Sequence, residues 1–155
     1  MKFADFRAGQ IIPAGSCTLS EEEILAYARQ WDPQWFHTDP ERAKAGRWDG
    51  LIASGWQTCG VAMRLAVLNV LEGSESFGSP GVKHIKWPNP VRPGDVLHLH
   101  IEVLDARTSS SRPDLGILTW RWLLTNQDGK QVLELEAASL FDLSASSHPP
   151  PTAAR

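Results

Sequence analysis

The sequence predicts an α+β fold in which an antiparallel sheet wraps around one apolar helix. After Gly55, the segment Leu51–Leu71 is hydrophobic nearly all round. A helix without a polar face must be enclosed by protein, because this one is too short to cross a bilayer. Four segments with strand patterns follow the helix with short connections, which is typical of an antiparallel sheet.

The strands are predicted mainly from apolar and polar residues that alternate, which is the two-residue period of an extended chain. Asn126–Gly129 suits a hairpin turn whose glycine takes a left-handed conformation. Pro93 and Gly94 suit a type II turn, because proline fixes φ and glycine accepts a positive value. The predicted strands are Gln10–Leu19, Val82–Trp87, Val96–Val103, Leu115–Thr125 and Gln131–Asp142.

Two shorter helices are predicted before the apolar one. Ser20 and Glu23 form a capping box that starts a helix over 21–31. Pro33 pushes the residue before it out of the α region, so this helix ends there. A second helix is expected at Pro40–Ala45, with proline at its first position.

The composition describes one ordinary domain, predicted to span 1–143. The chain has 155 residues, of which 42% are hydrophobic and 21% charged. Residues 144–155 are rich in proline, serine and alanine and are expected to be disordered. The formal charge of −3 comes without a basic stripe, so nucleic acid is not an expected partner. No signal-like or membrane-spanning segment is found, and a cytoplasmic location is expected.

A carboxylate and an imidazole lie close together in the chain just before the apolar helix. Asp32 and His37 are five positions apart. On a continuous helix this spacing turns the two side chains about 140° apart. Pro33 breaks the helix, so a curled loop can bring both around a shared point. The two aromatic residues between them would dry this site, raise the pKa of Asp32 and make it a better base.

The same residues also allow a purely structural interpretation. Asp32 would then only end a helix, and His37 would only lead into the cap formed by Asp39. Residue types alone favour this interpretation, because short motifs match by chance often.

The start of the apolar helix is a candidate oxyanion site. A glycine there lets backbone N–H groups approach a ligand closely, and the helix dipole favours negative charge. Such donors can stabilise an enolate-like oxyanion on a thioester carbonyl. The structural alternative is that Ser54 and Gly55 merely cap the helix.

A metal site and a cysteine nucleophile have less support. His98 and His100 share one strand face and His84 is placed on a neighbouring strand, but zinc needs three or four convergent ligands. Exposed polar alternation explains these histidines, and no metal is expected. Neither Cys17 nor Cys59 has a base at motif spacing, so neither is expected to be a nucleophile.

Together these features resemble the MaoC-like family, which includes the R-specific enoyl-CoA hydratases. The family has the hotdog fold, in which an antiparallel sheet wraps a long apolar helix. Three segments carry the resemblance, and together with the predicted helices and strands the matching elements are ordered along nearly the whole domain. They are the spacing Asp32-x4-His37 followed by Ala43, the glycine-bearing Ile52–Gly55, and Trp87–Asp95 with its Pro-Val-x-x-Gly-Asp turn.

The resemblance implies an acyl-CoA lyase. It would add water to, or remove it from, the Cα–Cβ bond of an enoyl-CoA or 3-hydroxyacyl-CoA thioester. Asp32 and His37 would be the catalytic pair that activates the water, and the N–H of Gly55 would polarise the thioester carbonyl. No metal or organic cofactor is implied, coenzyme A being part of the substrate. A homodimer or larger homo-oligomer is expected, without a membrane partner. The residues expected to contact the substrate are Gln34, Ser54, Gly55 and Trp56.

The chain departs from the family at two places. The hydratase signature reads Gly-Asp-x-Asn-Pro-(Ile/Val/Leu)-His, whereas this chain has Trp31, Gln34, Trp35 and Phe36 around its pair. The serine that assists the pair in some hydratases would fall about two turns into the central helix, where the chain reads Cys59-Gly60-Val61-Ala62-Met63. A reshaped pocket and a branched, oxygenated or aromatic acyl group are therefore expected.

Two other functions stay open. A hotdog acyl-CoA thioesterase would share the fold and the thioester clamp but would cleave the C–S bond and release a free thiol. A non-catalytic acyl-CoA binding protein would keep the site without turnover. The Asp-x4-His spacing favours hydration, because thioesterases usually place their carboxylate elsewhere.

Overall fold

Five strands pair into one antiparallel sheet that curls around a helix, as the hotdog resemblance implies. The computed structural model describes residues 1–144. The strand order is β1-β3-β4-β5-β2, and all neighbours are antiparallel. The strands are β1 Ile11–Thr18, β2 Ser76–Lys86, β3 Val96–Thr108, β4 Leu115–Thr125 and β5 Gln131–Asp142.

All five predicted strands are confirmed, although two bounds differ by more than one residue. β2 begins at Ser76 rather than Val82, because glycines and bulges interrupt the alternation of its first half. β3 continues to Thr108 rather than Val103. The predicted turns are also confirmed, since Gly94 and Gly129 have φ values of 84° and 72°.

The helices precede the long strands. α1 begins at the predicted capping box, in which the Glu23 N–H donates to Ser20 Oγ at 3.2 Å and the Ser20 N–H donates to the Glu23 carboxylate at 2.8 Å. α2 is one turn in a segment expected to be a loop, and it is too short to show a helical period. The helices are α1 Glu21–Trp31, α2 Trp35–Thr38, α3 Pro40–Lys44 and α4 Gly55–Ala66, which continues as a π-helical turn over Val67–Leu71.

The central helix α4 is enclosed on one side only. Ala62, Leu65 and Ala66 are almost completely buried in the core against the sheet. The opposite side carries Trp56 and Met63, which are 59% and 46% exposed. The expectation that protein encloses the helix all round is therefore wrong for the single chain, because one sheet can cover only one side of a helix.

The strand order and the range of described residues bear on two further expectations. His84 on β2 does not neighbour His98 and His100 on β3, because β4 and β5 lie between them. The tail predicted to be disordered, 144–155, lies outside the described residues except for Ser144, whose N–H donates to Asp142 Oδ1 at 2.9 Å. In the described part of the chain, no helix is long and apolar enough to span a membrane.

Candidate active site

Asp32 and His37 are brought together by a helix end and one helical turn. Asp32 follows α1 as its C-cap residue and has left the helical conformation, with φ −150° and ψ 69°. α2 then turns His37 back towards it, and His37 is only 5% exposed. His37 Nε2 lies 3.4 Å from Asp32 Oδ2. The two residues therefore meet as expected, with α2 in place of a loop.

A backbone carbonyl fixes the orientation of the imidazole. His37 Nδ1 lies 2.7 Å from the carbonyl oxygen of Ile52. Because a carbonyl only accepts, Nδ1 must carry the proton and donate it. In the neutral ring, Nε2 is then the unprotonated nitrogen and presents its lone pair beside the Asp32 carboxylate.

Two neutral donors hold the Asp32 carboxylate. Ser54 Oγ donates to Oδ2 at 2.7 Å, and Gln34 Nε2 donates to Oδ1 at 2.9 Å. Burial raises the pKa of the Asp32 carboxyl, but these two hydrogen bonds and the positive charge that His37 carries when protonated lower it. The pKa lies below the ordinary aspartate value. The expectation of a raised pKa is therefore wrong, and Asp32 is a carboxylate at neutral pH.

The amino end of α4 lies beside this pair. Ser54 is the N-cap residue, and its Oγ accepts the Trp56 N–H at 3.3 Å. Gly55 occupies the first helical position, where a backbone N–H has no acceptor within the helix. Its N–H and the positive end of the helix dipole can polarise a carbonyl placed there.

A cavity of about 310 Å³ contains the pair and the helix end. Its floor is made of buried side chains, and its rim carries the half-exposed rings of three tryptophans. The floor residues are Ile52, Ala53, Thr58, Val91 and Val132, and the rim residues are Trp48, Trp56 and Trp87. Asp32, Gln34, His37, Gly55, Asn89 and Pro90 complete the lining.

Comparisons with known proteins show the family of the chain. The model of the family described as "MaoC like domain" matches residues 8–116. The chain therefore belongs to the MaoC-like family. The uncharacterized protein YdeM of Bacillus subtilis is 35% identical over 141 residues, which cover 91% of this chain and 99% of YdeM.

Two further relatives carry the word dehydratase in their names. The crystal structure of the MaoC-like dehydratase from Rhodospirillum rubrum matches with a TM-score of 0.83 and 36% identity, over 90% of this chain and 94% of that chain. The 3-hydroxyacyl-thioester dehydratase Z of Mycobacterium tuberculosis is 34% identical over 79 residues, 50% of this chain and 52% of the dehydratase.

The aromatic residues that depart from the family signature do not line the cavity of this MaoC-like protein. The Trp35 ring packs on Gly46, and the Arg42 guanidinium lies 4.6 Å from its centroid. Phe36 packs against Trp35 and the imidazole, with ring centroids 5.5 Å and 4.4 Å away. These two rings therefore do not line the pocket, and Phe36 reaches it only through its contact with the imidazole of His37.

Ser54 and Gln34 have a different place in the structure from the one expected from the sequence. Ser54 and Gln34 were expected to contact substrate, but both direct their side-chain donors to Asp32. A serine hydroxyl does donate to Asp32, from the N-cap instead of a position two turns into the helix. The sequence indicated that Ser54 caps the helix, but its contact with Asp32 depends on how distant parts of the chain fold together.

Trp87 and Trp48 were missed as cavity residues. Trp87 directly precedes the Pro-Asn-Pro-Val stretch, which belongs to a segment that carried the family resemblance. The nearby Asn89 amide donates to the carbonyl of Gln131 at 2.8 Å and ties this loop to β5. A tryptophan next to a conspicuous loop motif was thus the available signal.

Glycine is required at position 55 because Trp87 covers it. A Cβ atom added to Gly55 would lie 2.6–2.9 Å from three atoms of the Trp87 ring. Gly55→Ala should therefore lower the free energy of unfolding by about 1–3 kcal/mol, the usual cost of overpacking. Urea denaturation followed by circular dichroism measures this change.

Gly60→Ala is the matched control on the same helix. A Cβ atom at Gly60 would meet nothing within 4 Å, so alanine should stabilise the helix by about 0.5–1 kcal/mol. Equal effects of the two alanine substitutions would contradict the packing of Trp87 on Gly55.

Proposed function

We propose that the protein is a hydratase or dehydratase that acts on an acyl-CoA thioester. One observation carries the proposal: Asp32 Oδ2 and His37 Nε2 lie 3.4 Å apart in the cavity that the first residue of α4 also lines. The names of the Rhodospirillum and Mycobacterium relatives support this reaction class. The Asp-x4-His spacing of the hydratase signature supports it as well.

The pair is suited to hold a water molecule. Both Asp32 Oδ2 and the neutral His37 Nε2 are acceptors, so a water between them can donate one hydrogen to each. In the hydration direction its oxygen bonds to Cβ of the enoyl thioester while the pair takes one proton. The pair then returns a proton to Cα, and the water has supplied both added groups.

The helix end stabilises the charge that forms during this reaction. As oxygen bonds to Cβ, negative charge moves through Cα to the thioester oxygen and gives an enolate. The N–H of Gly55, at the positive end of α4, donates to that oxygen. The balance of atoms calls for no metal or organic cofactor, and coenzyme A takes part only as a portion of the substrate.

Substituting either member of the pair should abolish most of the activity. Asp32→Asn and His37→Ala should each lower turnover of crotonyl-CoA by about 10²-fold or more, the usual contribution of acid–base groups. The assay follows the loss of absorbance of the enoyl thioester, with a parallel assay for free thiol. Asp39→Asn is the matched control, because Asp39 caps α3 outside the cavity and asparagine caps equally well.

Three outcomes would contradict the assignment. A near-parental rate in Asp32→Asn would remove the pair from the mechanism. Release of free thiol by the parental protein would indicate a thioesterase. Binding of acyl-CoA without any turnover would indicate a non-catalytic binding protein.

The hydroxyl of Ser54 should set the acidic limit of activity. Its hydrogen bond lowers the pKa of Asp32, so Ser54→Ala raises that pKa. Activity that needs the carboxylate is present above this pKa and is lost as the pH falls through it. The acidic limb of kcat/KM should therefore move to higher pH in Ser54→Ala, and Ser54→Thr, which keeps a hydroxyl, should move it less. An unmoved limb in Ser54→Ala would show that this hydrogen bond does not set the ionisation.

We also propose that the protein forms a homodimer through the edge of β2 and the open side of α4. Within residues 1–144, β2 pairs only with β5, so its outer edge there carries unpaired backbone groups. Phe77 and Val82 on β2 are 60% and 50% exposed, next to exposed apolar residues of the helix. An uncovered apolar surface beside an open strand edge is typical of an interface.

A charge at the β2 edge should break this dimer. Val82→Lys should convert the protein from dimer to monomer in light scattering coupled to gel filtration. Ile11→Lys is the control, because Ile11 is 68% exposed on β1, the opposite edge of the sheet. A monomeric parental protein, or dissociation by Ile11→Lys alone, would argue against the β2 interface.

A further inference from the structure

The indole of Trp87 is fixed in place by contacts on three sides. Its ring packs directly on Gly55, at distances that exclude any side chain there. It meets Trp56 edge-on, with ring centroids 5.5 Å apart and planes at 78°. Its indole also lies next to the thiol of Cys59. Trp87 therefore forms a packed wall of the cavity.

This wall covers the helix row that leads away from the catalytic pair. Gly55, Cys59 and Met63 are four residues apart, so they form one row along α4. Trp87 contacts the first two of them. Met63, the third, lines a second cavity of about 450 Å³ between α4 and the sheet.

The second cavity is apolar and separate from the first. Its lining includes Leu71, Val82, Trp122 and Leu135, and its base is closed by buried side chains of β4 and β5. Within residues 1–144, no residue lines both cavities. Gly55 lines the first cavity and Met63 lines the second, so the helix row from Gly55 to Met63 runs from one cavity to the other.

The first cavity alone is small. Its volume of about 310 Å³ is at the lower end of the roughly 300–1,000 Å³ found for ligand pockets. Val91 and Val132 close its floor and are 2% and 0% exposed, so it does not continue below them. The same space must hold both the reacting carbons and the sulfur end of the coenzyme A arm.

We infer that Trp87 is a specificity-determining residue that separates the two cavities and restricts the acyl group to short chains. The inference rests on the proposed function, because it places the thioester carbonyl at Gly55. Removing the indole would uncover Cys59 and open the row along α4 towards Met63. A longer chain could then extend into the second cavity.

Chain-length profiles test this role. kcat/KM is measured with crotonyl-, hexenoyl-, octenoyl- and decenoyl-CoA for the parental protein, Trp87→Ala and Trp87→Leu. In the parental protein kcat/KM should fall by about tenfold or more from crotonyl- to octenoyl-CoA, since single methylenes change it by about 10–200-fold in a fitted pocket. In Trp87→Ala the octenoyl-to-crotonyl ratio should rise by about tenfold or more. Trp87→Leu, which keeps an apolar side chain, should give a smaller rise.

A matched control and the opposite outcomes test the role of Trp87. Ile11→Ala removes an exposed apolar side chain on β1 that lines neither cavity, so its chain-length profile should equal the parental one. Equal parental use of octenoyl- and crotonyl-CoA would overturn the inference and leave the proposed function standing. A parallel loss on all substrates in both Trp87 variants would make Trp87 merely structural. Absence of hydration with every substrate in the parental protein would instead overturn the proposed function.

Discussion

The hydrogen bond from Ser54 to Asp32 joins the two helix ends from which the candidate site is built. Asp32 ends α1, and Ser54 caps α4, so this 2.7 Å contact fixes the carboxylate relative to the amino end of the central helix. The same oxygen of Asp32 faces His37. A shift of either helix would therefore disturb the carboxylate, its ionisation and the distance from the pair to Gly55 together.

The architecture was largely predictable because its signals are local or periodic. The capping box at Ser20, the proline at position 33 and the alternation in the long strands each act over a few residues. What the sequence could not supply was the strand order, which depends on contacts between distant segments. His84 was therefore placed beside the wrong strand. α2 was not predicted although it is local, because four residues are too few to show a helical period.

The candidate site likewise has features that local patterns predict and features that depend on distant residues. Asp32 and His37 were found because their spacing is a local pattern that a helix break can close. The pKa of Asp32 was predicted in the wrong direction, because burial was considered without the donors that Ser54 and Gln34 bring. Ser54 and Gln34 were expected to bind substrate, but their side-chain donors are directed to Asp32. The prediction for Gly55 named the backbone N–H, but its packing partner Trp87 lies far away in the chain and was not foreseen.

The central helix is apolar on more sides than the single sheet can cover. Its apolar composition calls for cover on every side, yet Met63, Val67 and Leu68 are 39–51% exposed. Near its amino end Trp87 supplies part of the missing cover, and there the cavity keeps a defined wall. Further along, no element within residues 1–144 takes that place, and the open side adjoins the unpaired edge of β2. The uncovered part of the helix thus adjoins both the second cavity and the proposed dimer surface. A partner subunit that covered this surface would therefore also change the boundary of the second cavity, which Trp87 separates from the catalytic pair.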